Sequence, residues 1–377
     1  MDYNRQIYIK IQEMLFCEQV LIIYGPRQVG KTTLSKKILT DNQNIQTKYI
    51  NCESLAVREL LSKETPSELK AFIGEAKLIV LDEAQQIENI GLKLKLLIDN
   101  YPELQIIATG SSSFDLANKV NEPLTGRKKT FYLYPLAQNE VKNRIGLESF
   151  TANYENFIRF GFYPRVVNLL LEKGEEAARD ELSELASSYL YKDVLEFNNI
   201  RKSSVLDDLL RALALQIGNE VSFTELSQLL KVDQETVRNY IDILEKTFVI
   251  FKLRSFSRNL RKEISKRYKV YFWDLGIRNS LLQNFNPLEL RSDKGALWEN
   301  FVISEKIKAN NNQRIFANYY FWRTYDQQEI DLIEERDGKL MGYEIKYELK
   351  ASKFRAPKVF LNEYEGATVE LITKENF

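Results

Sequence analysis

The chain has 377 residues, of which 44% are hydrophobic and 28% charged, the balance expected of a soluble globular protein with two or three domains. Its 53 basic and 53 acidic residues give no net charge, which excludes a global field that attracts nucleic acid and leaves only a local patch for such binding. It contains no histidine and only two cysteines, which excludes catalysis by a histidine base, histidine-ligated zinc and a disulfide framework.

The chain begins with MDYNRQIYIKIQEMLF, in which charged residues interrupt the apolar ones, so this segment lacks the core of a signal peptide. The sequence has no run of 18 or more apolar residues, so we expect no membrane span. Together with the scarcity of cysteine, these features indicate a cytoplasmic protein.

The first informative element is a buried strand, Val20 to Tyr24, followed by a glycine-rich loop and a helix. The loop GPRQVGKT, residues 25–32, fits the pattern G-x-x-x-x-G-K-[ST] of a phosphate-binding loop, whose glycines let backbone N–H groups point at phosphate oxygens. Lys31 is expected to reach the β- and γ-phosphates, and the Thr32 hydroxyl to bind Mg²⁺. The residues predicted to bind the nucleotide in this segment are Gly25, Pro26, Arg27, Gln28, Val29, Gly30, Lys31, Thr32 and Thr33.

A second apolar strand, Leu78 to Leu81, ends in a pair of acids. Asp82 is placed to hold Mg²⁺, and Glu83 to polarise the attacking water. The adjacent glutamate favours an ATPase over a GTPase, because no Asp-x-x-Gly follows it and NKVN at 118–121 lacks the aspartate of a guanine-reading motif.

A third apolar strand, in LQIIATGSSS, ends in hydroxyl residues. Ser111 or Thr109 is expected to contact the γ-phosphate or the attacking water, the alternative being the ordinary start of a loop. With TKYIN (47–51) and TFYLY (130–134), five strands alternate with helices, which predicts a parallel, doubly wound α/β sheet. Ligands bind such sheets at the carboxyl ends of the strands, where these residues fall.

Several of these segments are shared with a known family. GPRQVGKTTL, LDEAQQI, ATGSSS, LTGRKKTFYLYPL and YFWDLGIRN resemble the bacterial and archaeal AAA-type ATPases with a C-terminal domain of unknown function, the AAA_14/DUF4143 architecture. The resemblance covers nearly the whole chain. It implies a P-loop fold of the ASCE class, ATP and Mg²⁺ as cofactors, and a C-terminal domain like restriction endonucleases.

Arg127, in LTGRKK, lies where AAA-type proteins often place an arginine finger, which stabilises charge on the γ-phosphate from a neighbouring subunit. If it does so here, the chain must form a homo-oligomer. Lys128 and Lys129 obscure the assignment, and an ordinary solvated basic loop is the alternative.

The middle of the chain consists of amphipathic helices, with a turn at Gly161 and Pro164. Residues 205–256 are predicted to form three helices and the strand VIFKLRSF, the order of a winged helix-turn-helix. Ser222 or Thr224 is expected at the cap of the second helix. The third helix is predicted to bury Val237, Tyr240 or Ile241, and Leu244, and to expose Gln234, Arg238 and Asn239.

Residues 252–269, called here the basic stretch, suggest a nucleic-acid partner. The stretch contains eight basic residues and one acid, Glu263, interleaved with aromatic residues, which is typical of a phosphate-binding patch. Its basic residues are Lys252, Arg254, Arg258, Arg261, Lys262, Lys266, Arg267 and Lys269. The alternatives are a solvated face, or a winged helix that serves as a lid or a protein contact.

From Leu290 the order of helix, strands, helix and strand matches the core of the restriction endonucleases, whose signature is an Asp on one strand and (Asp/Glu)-x-Lys on the next. Here these residues are Asp331, Glu344 and Lys346, with Glu299 on the preceding helix. Carboxylates at Glu299, Asp331 and Glu344 are predicted to hold Mg²⁺, while Lys346 orients the nucleophilic water. The alternative is an ordinary surface hairpin, and Ile330 replaces the proline that usually precedes the aspartate.

These patterns predict three domains: an ATPase domain (1–145), a helical region with a winged helix-turn-helix (146–270) and a nuclease-like domain (271–377). The leading hypothesis is an ATP-hydrolysing protein whose nucleotide state controls a module that acts on DNA. The second hypothesis is a signalling or scaffolding switch in which the nuclease-like domain is catalytically silent and docks a partner.

Overall fold

The computed structural model describes residues 3–63, 65–111, 124–189, 203–257, 268–324, 326, 328–349 and 354–377. The chain forms two compact units, Met1–Leu136 with Lys246–Phe248, and Ala137–Glu245 with Val249–Phe377. Within the described ranges, no helix has the length and apolar character needed to cross a membrane.

The first unit contains a five-stranded sheet in which every pair of neighbouring strands is parallel, in the order β2-β3-β4-β1-β5. Its strands are β1 (Val20–Tyr24), β2 (Thr47–Asn51), β3 (Leu78–Asp82), β4 (Gln105–Gly110) and β5 (Lys128–Tyr132). The apolar runs of β1, β3 and β4 are buried along their whole length, as expected for central strands of a parallel sheet. The predicted parallel α/β sheet is therefore confirmed.

The described helices of the first unit alternate with these strands. They are α1 (Ile7–Gln12), α2 (Lys31–Asp41), α3 (Leu55–Leu60), α4 (Pro66–Ile73) and α5 (Ile90–Asn100). Because all five strands run the same way, the carboxyl ends of β1, β3 and β4 lie at one edge of the sheet, where the phosphate loop begins. Only glycine fits at Gly25, since a Cβ there would lie 2.1 Å from the carbonyl oxygen of Leu133.

The second unit is built around a six-stranded mixed sheet in the order β11-β10-β9-β8-β6-β7. The strands are β6 (Ile250–Ser255), β7 (Tyr268–Phe272), β8 (Asn318–Arg323), β9 (Glu329–Arg336), β10 (Lys339–Ile345) and β11 (Thr368–Ile372). Pairs β6–β8 and β10–β11 are parallel, and the other three are antiparallel.

Helices of the second unit include those that the sequence predicted. They are α6 (Gln138–Ile145), α7 (Leu147–Ala152), α8 (Tyr154–Phe160), α9 (Pro164–Lys173), α10 (Glu175–Glu184), α11 (Ser203–Leu215), α12 (Phe223–Leu230), α13 (Gln234–Lys246), α14 (Leu275–Leu281), α15 (Lys294–Gln313) and α16 (Lys358–Glu363). Ser222 caps α12, and α13 buries both Tyr240 and Ile241, which settles the two choices left open by the sequence.

The structure groups the chain differently from the predicted three domains. A boundary at 270/271 falls inside β7, and β6 pairs with β8, so the helical region and the nuclease-like segment share one sheet. The first boundary lies at 136/137 rather than 145/146. The β6–β8 pairing joins backbone segments far apart in sequence, which local sequence patterns do not predict.

The motif WDLGIRN of the family resemblance has a packing role in the second unit. Asp274 is buried, and its carboxylate accepts hydrogen bonds from the backbone N–H of Phe162 (2.6 Å) and of Ile277 (3.1 Å). Burial raises the pKa of Asp274 to about 6. Buried Arg278 donates to the carbonyl of Ala214 (2.9 Å) and pairs with Asp293 (2.6 Å). The motif thus joins α14 to three other segments of the same unit.

Candidate functional site

The phosphate loop leads directly into α2, whose N-cap is Gly30 with φ of 97°. No side chain of the described residues caps α2, and its first turn contains no acid, so its leading N–H groups suit an anion. Lys31 is 4% exposed, and its Nζ donates to the carbonyls of Gly25 (2.8 Å) and Pro26 (2.9 Å). The ammonium group is therefore held against the loop that the sequence predicts to bind phosphate.

Arg5 supports this loop and was missed by sequence reasoning. Its guanidinium donates to the carbonyl of Val29 (2.6 Å) and to that of Tyr134 (2.7 Å). Gln28 adopts a left-handed backbone conformation with φ of 60°, while Arg27 is half-buried and Thr33 is exposed. No local pattern predicts the role of Arg5, because α1 and β1 lie between this residue and the phosphate loop in the sequence.

Asp82, at the end of β3, is buried and accepts hydrogen bonds from three hydroxyl groups. Thr32 of α2 donates to Oδ2 over 2.7 Å, Tyr49 of β2 donates to the same oxygen, and Thr109 of β4 donates to Oδ1. Burial, and then the adjacent Asp82 carboxylate, raise the pKa of Tyr49. All three donors are neutral hydroxyl groups, so none of these contacts pairs the carboxylate with a cation. The contact between Thr32 and Asp82 joins the two residues predicted to hold Mg²⁺.

Glu83 follows in a left-handed conformation, with φ of 54° and ψ of 48°, which costs about 1–3 kcal/mol for a non-glycine residue. Its backbone N–H donates to the Thr109 hydroxyl (3.1 Å), so one side chain positions both acids. The amide of Gln85 donates to the Glu83 carboxylate (2.5 Å) and to the Ser111 hydroxyl (3.2 Å). Thr109 therefore contacts the acid pair directly, and Ser111 contacts it through Gln85.

Arg127 is not brought to this site. Its carbonyl accepts from the N–H of Val20 at the start of β1, and its side chain pairs with Asp99 (2.6 Å). Val20 lies four residues before Tyr24, a distance of about 13 Å along a strand, so Arg127 is at the opposite edge of the sheet. Because β5 is parallel to β1, Arg127 does not reach the phosphate loop of its own chain, and its role as an arginine finger from a neighbouring subunit stays a prediction.

The second unit contains the predicted hairpin contacts. Asp331 of β9 is buried, and its Oδ2 accepts from the N–H of Ile345 (2.7 Å) and from Nζ of Lys346 (3.1 Å). The same ammonium lies 2.7 Å from Oε1 of Glu344. Burial and then the charge of Asp331 raise the pKa of Glu344.

Glu299 of α15 has partners that sequence reasoning missed. Its Oε1 accepts from the Tyr271 hydroxyl (2.6 Å) and from Nζ of Lys269 (3.3 Å), which also pairs with Glu329. Burial, and then the charge of Asp331, raise the pKa of Glu299 to about 7. Burial opposes the charged form of Lys269, but Glu299 and Glu329 outweigh it and raise the pKa of this lysine.

Glu299, Glu329, Asp331 and Glu344 are called here the acid cluster. Among the described residues, no group of three acidic or cysteine side chains is arranged to hold a metal ion. The prediction that Glu299, Asp331 and Glu344 hold Mg²⁺ stays a prediction. In this structure the ammonium groups of Lys269 and Lys346 contact these carboxylates.

The basic stretch is only partly described. Five of its residues, Arg258, Arg261, Lys262, Lys266 and Arg267, lie outside the described residues. Of the other three, Arg254 is exposed. Lys252 pairs with Asp242 (2.6 Å) and Glu245 (2.7 Å), and Lys269 pairs with Glu299 of the acid cluster. On α13, the third helix of the predicted winged helix-turn-helix, Arg238 lies 4.3 Å from the ring centre of Phe223. Lys252 and Lys269 are thus engaged with acids rather than presented to phosphate.

Three family models match successive parts of the chain. An AAA domain matches residues 18–142, a domain of unknown function (DUF8612) matches 151–288, and another (DUF4143) matches 294–375. An uncharacterized protein of Mycobacterium tuberculosis is 27% identical over 376 residues, covering 98% of this chain and 79% of that protein. An uncharacterized protein of Methanocaldococcus jannaschii is 27% identical over 378 residues, covering 91% of this chain and 84% of that one.

One solved structure, of Drosophila ORC bound to AT-rich DNA and Cdc6, is similar at 11% identity with a TM-score of 0.29, covering 74% of this chain and 90% of that chain. A likeness this weak is no basis for assigning a fold or a function to this chain.

Replacing Thr109 by valine tests the hydrogen bonds around Asp82. The substitution leaves Oδ1 of Asp82 and the N–H of Glu83 without this partner, so it should lower the free energy of unfolding of the first unit by about 1–3 kcal/mol. Urea unfolding followed by circular dichroism measures the change. The three tryptophans, Trp273, Trp298 and Trp322, all lie in the second unit, so their fluorescence transition should not move.

Thr47→Val, at the start of β2, is the matched control and should leave both transitions in place. An unchanged circular-dichroism transition in Thr109→Val would contradict the assigned role of this hydroxyl.

Proposed function

Because this chain joins an AAA domain to a DUF4143 domain, we propose that it binds ATP with Mg²⁺ and hydrolyses it at the edge of the five-stranded sheet. The proposal depends on one meeting of side chains at the ends of β1 and β3. There the Thr32 hydroxyl is hydrogen-bonded to Asp82, and Lys31 lies 4.0 Å from Glu83. A lysine, a hydroxyl and two acids at one point are the groups needed for phosphoryl transfer to water.

The roles of the binding residues follow from their positions. The N–H groups of the phosphate loop and the start of α2 bind phosphate oxygens, and Lys31 adds a positive charge beside the γ-phosphate. The donor set fits a hard cation, since Thr32 offers a hydroxyl oxygen and Asp82 a carboxylate. Bound Mg²⁺ supplies charge neutralisation at the phosphates. Arg5 keeps the loop in shape through the Val29 carbonyl.

Hydrolysis follows from Glu83. Its carboxylate accepts a proton from the attacking water as a bond forms between the water oxygen and the γ-phosphorus, and the bond to the β–γ bridging oxygen breaks to release ADP. Gln85 donates hydrogen bonds to this carboxylate and to the Ser111 hydroxyl. In this proposal Ser111 contacts the γ-phosphate. Any cationic finger at Arg127 has to come from a neighbouring chain.

The exchange Glu83→Gln tests this role. It keeps the shape of the side chain and removes the base, so ATP should still bind while the phosphate-release rate falls about 10²- to 10⁴-fold. Lys31→Ala should instead weaken nucleotide binding. Both effects are measured with a coupled phosphate assay and a fluorescent ATP analogue. Turnover of either variant at the wild-type rate would end the proposal.

The second unit is proposed to be the part that the nucleotide state controls, with DNA as the leading partner. The order α11, the Glu220–Lys269 bridge, α12, α13 and the β6–β7 hairpin supports a winged helix-turn-helix. The five basic residues within positions 258–267 support a contact with phosphate.

A second candidate is a switch that docks a protein partner through a catalytically silent second unit. Two observations favour it. Lys252 and Lys269 are paired with acids, and Lys346 is held between Asp331 and Glu344 instead of beside an open metal position.

DNA binding at two salt concentrations separates these candidates. If the basic stretch contacts DNA, affinity should fall at least about tenfold between 50 and 200 mM salt, and the double variant Arg261→Ala/Lys262→Ala should weaken binding and flatten this dependence. Lys142→Ala/Arg144→Ala removes the same charge from α6 and should change nothing. Fluorescence anisotropy with a labelled duplex is the measurement. Equal weak binding by all three proteins would favour the docking switch.

A further inference from the structure

We propose that Lys269 takes the place of a divalent cation in the acid cluster, which therefore binds no metal and acts as a fixed ion-paired joint between the β6–β7 hairpin, α15 and β9. This inference concerns the second unit alone and does not depend on ATP hydrolysis. It departs from the nuclease-like expectation, in which the same acids hold Mg²⁺.

The burial of Lys269 is the first observation. Its side chain is 3% exposed, and lysine is almost never buried this far unless its charge is paired. The Nζ atom pairs with Glu329 and lies 3.3 Å from Oε1 of Glu299. It also lies 5.5 Å from the ring centre of Phe321, whose face favours a cation. The ammonium thus lies between two carboxylates and an aromatic ring, in surroundings that suit a positive charge.

One oxygen of Glu299 receives two donors. Besides the ammonium of Lys269, its Oε1 accepts from the Tyr271 hydroxyl, and both of these residues belong to β7. The backbone of Gly218 closes one side, since a Cβ there would lie 3.4 Å from the same oxygen. A metal ion at Oε1 of Glu299 would have to displace two donors supplied by one strand.

The charge of the cluster leaves little attraction for a divalent ion. Its four carboxylates meet three cations: Lys269, Lys346, and Arg323, whose Nε lies 3.7 Å from Glu329. One net negative charge remains. Ca²⁺ and Mg²⁺ bind mainly through carboxylate and other oxygen ligands, and here cationic side chains already contact the carboxylates. Both carboxylates next to Lys346, those of Asp331 and Glu344, are held by its single ammonium.

The same residues join separate segments of the unit. The backbone of Lys269 forms a β-bridge with Glu220, and the Glu220 carboxylate accepts from Arg323 over 3.4 Å. Lys269 therefore connects the segment before α12 to β7 through its backbone, and to α15 and β9 through its side chain. Removing one partner of a buried ion pair leaves an unpaired buried charge and strongly destabilises a protein. We therefore expect the contacts between these segments to depend on Lys269.

Manganese binding tests the proposal. Nucleotide-free protein is titrated with Mn²⁺, and free Mn²⁺ is followed by electron paramagnetic resonance. Wild type and Asp331→Asn should bind the same number of ions. Lys269→Met, which keeps the length but removes the charge, should gain one Mn²⁺ per chain, and Lys269→Met/Glu299→Gln should lose it again. Lys306→Met is the control, because Lys306 lies on α15 against the Tyr343 ring (3.6 Å) and should gain none.

Two results would overturn the proposal. One is a Mn²⁺ ion bound by wild type and lost in Asp331→Asn, which would show an open metal site. The other is no gain of Mn²⁺ in a Lys269→Met protein whose tryptophan fluorescence is native. If Lys269→Met does not fold, the comparison of wild type with Asp331→Asn decides the question of metal binding by itself.

Discussion

The arrangement of the first unit depends on the buried carboxylate of Asp82. A buried charge must be hydrogen-bonded, and here the donors are three hydroxyls, from β2, α2 and β4. This requirement places Thr32, and with it the start of α2, against the end of β3. It also orients Thr109, whose hydroxyl accepts from the N–H of Glu83 and so helps to hold that residue in its left-handed conformation. β4 has to lie between β1 and β3 for these contacts to form, as the strand order shows.

The two groups of acids in this chain show how their partners decide what they can bind. Among the described residues, the hydrogen-bond donors to the Asp82 carboxylate are three neutral hydroxyl groups, so these contacts bring no cation of the protein to it. The acid cluster of the second unit receives ammonium groups, so most of its charge is compensated inside the protein. Both groups contain the residue types that ligate Mg²⁺, and a sequence motif alone does not distinguish them. The difference depends on Lys269, which approaches from a strand far from the motif in the chain.

Much of the first unit could be predicted from the sequence, because its signals are local. The buried strand Val20 to Tyr24 agrees with β1 at both ends. Two motifs each predicted an Mg²⁺ ligand, Thr32 and Asp82, and these two residues are in contact. Arg5 and Tyr49 could not be foreseen, since each reaches its partner through tertiary packing. The position of Arg127 follows from the parallel pairing of β5 with β1, which puts the residue just before β5 at the edge away from the phosphate loop. In the second unit, the β6–β8 pairing and Lys269 lack any local signal.

The central claim is that the Asp82 carboxylate binds Mg²⁺ at the end of β3. It is tested most directly by phosphate release as a function of Mg²⁺ concentration, for wild type and for Asp82→Asn, which accepts similar hydrogen bonds without the charge. Wild-type turnover should rise with Mg²⁺ to a plateau and disappear when the ion is chelated. The variant should be slower by about a hundredfold or more at every concentration. Equal rates for the two proteins, or wild-type turnover that persists without Mg²⁺, would contradict the account.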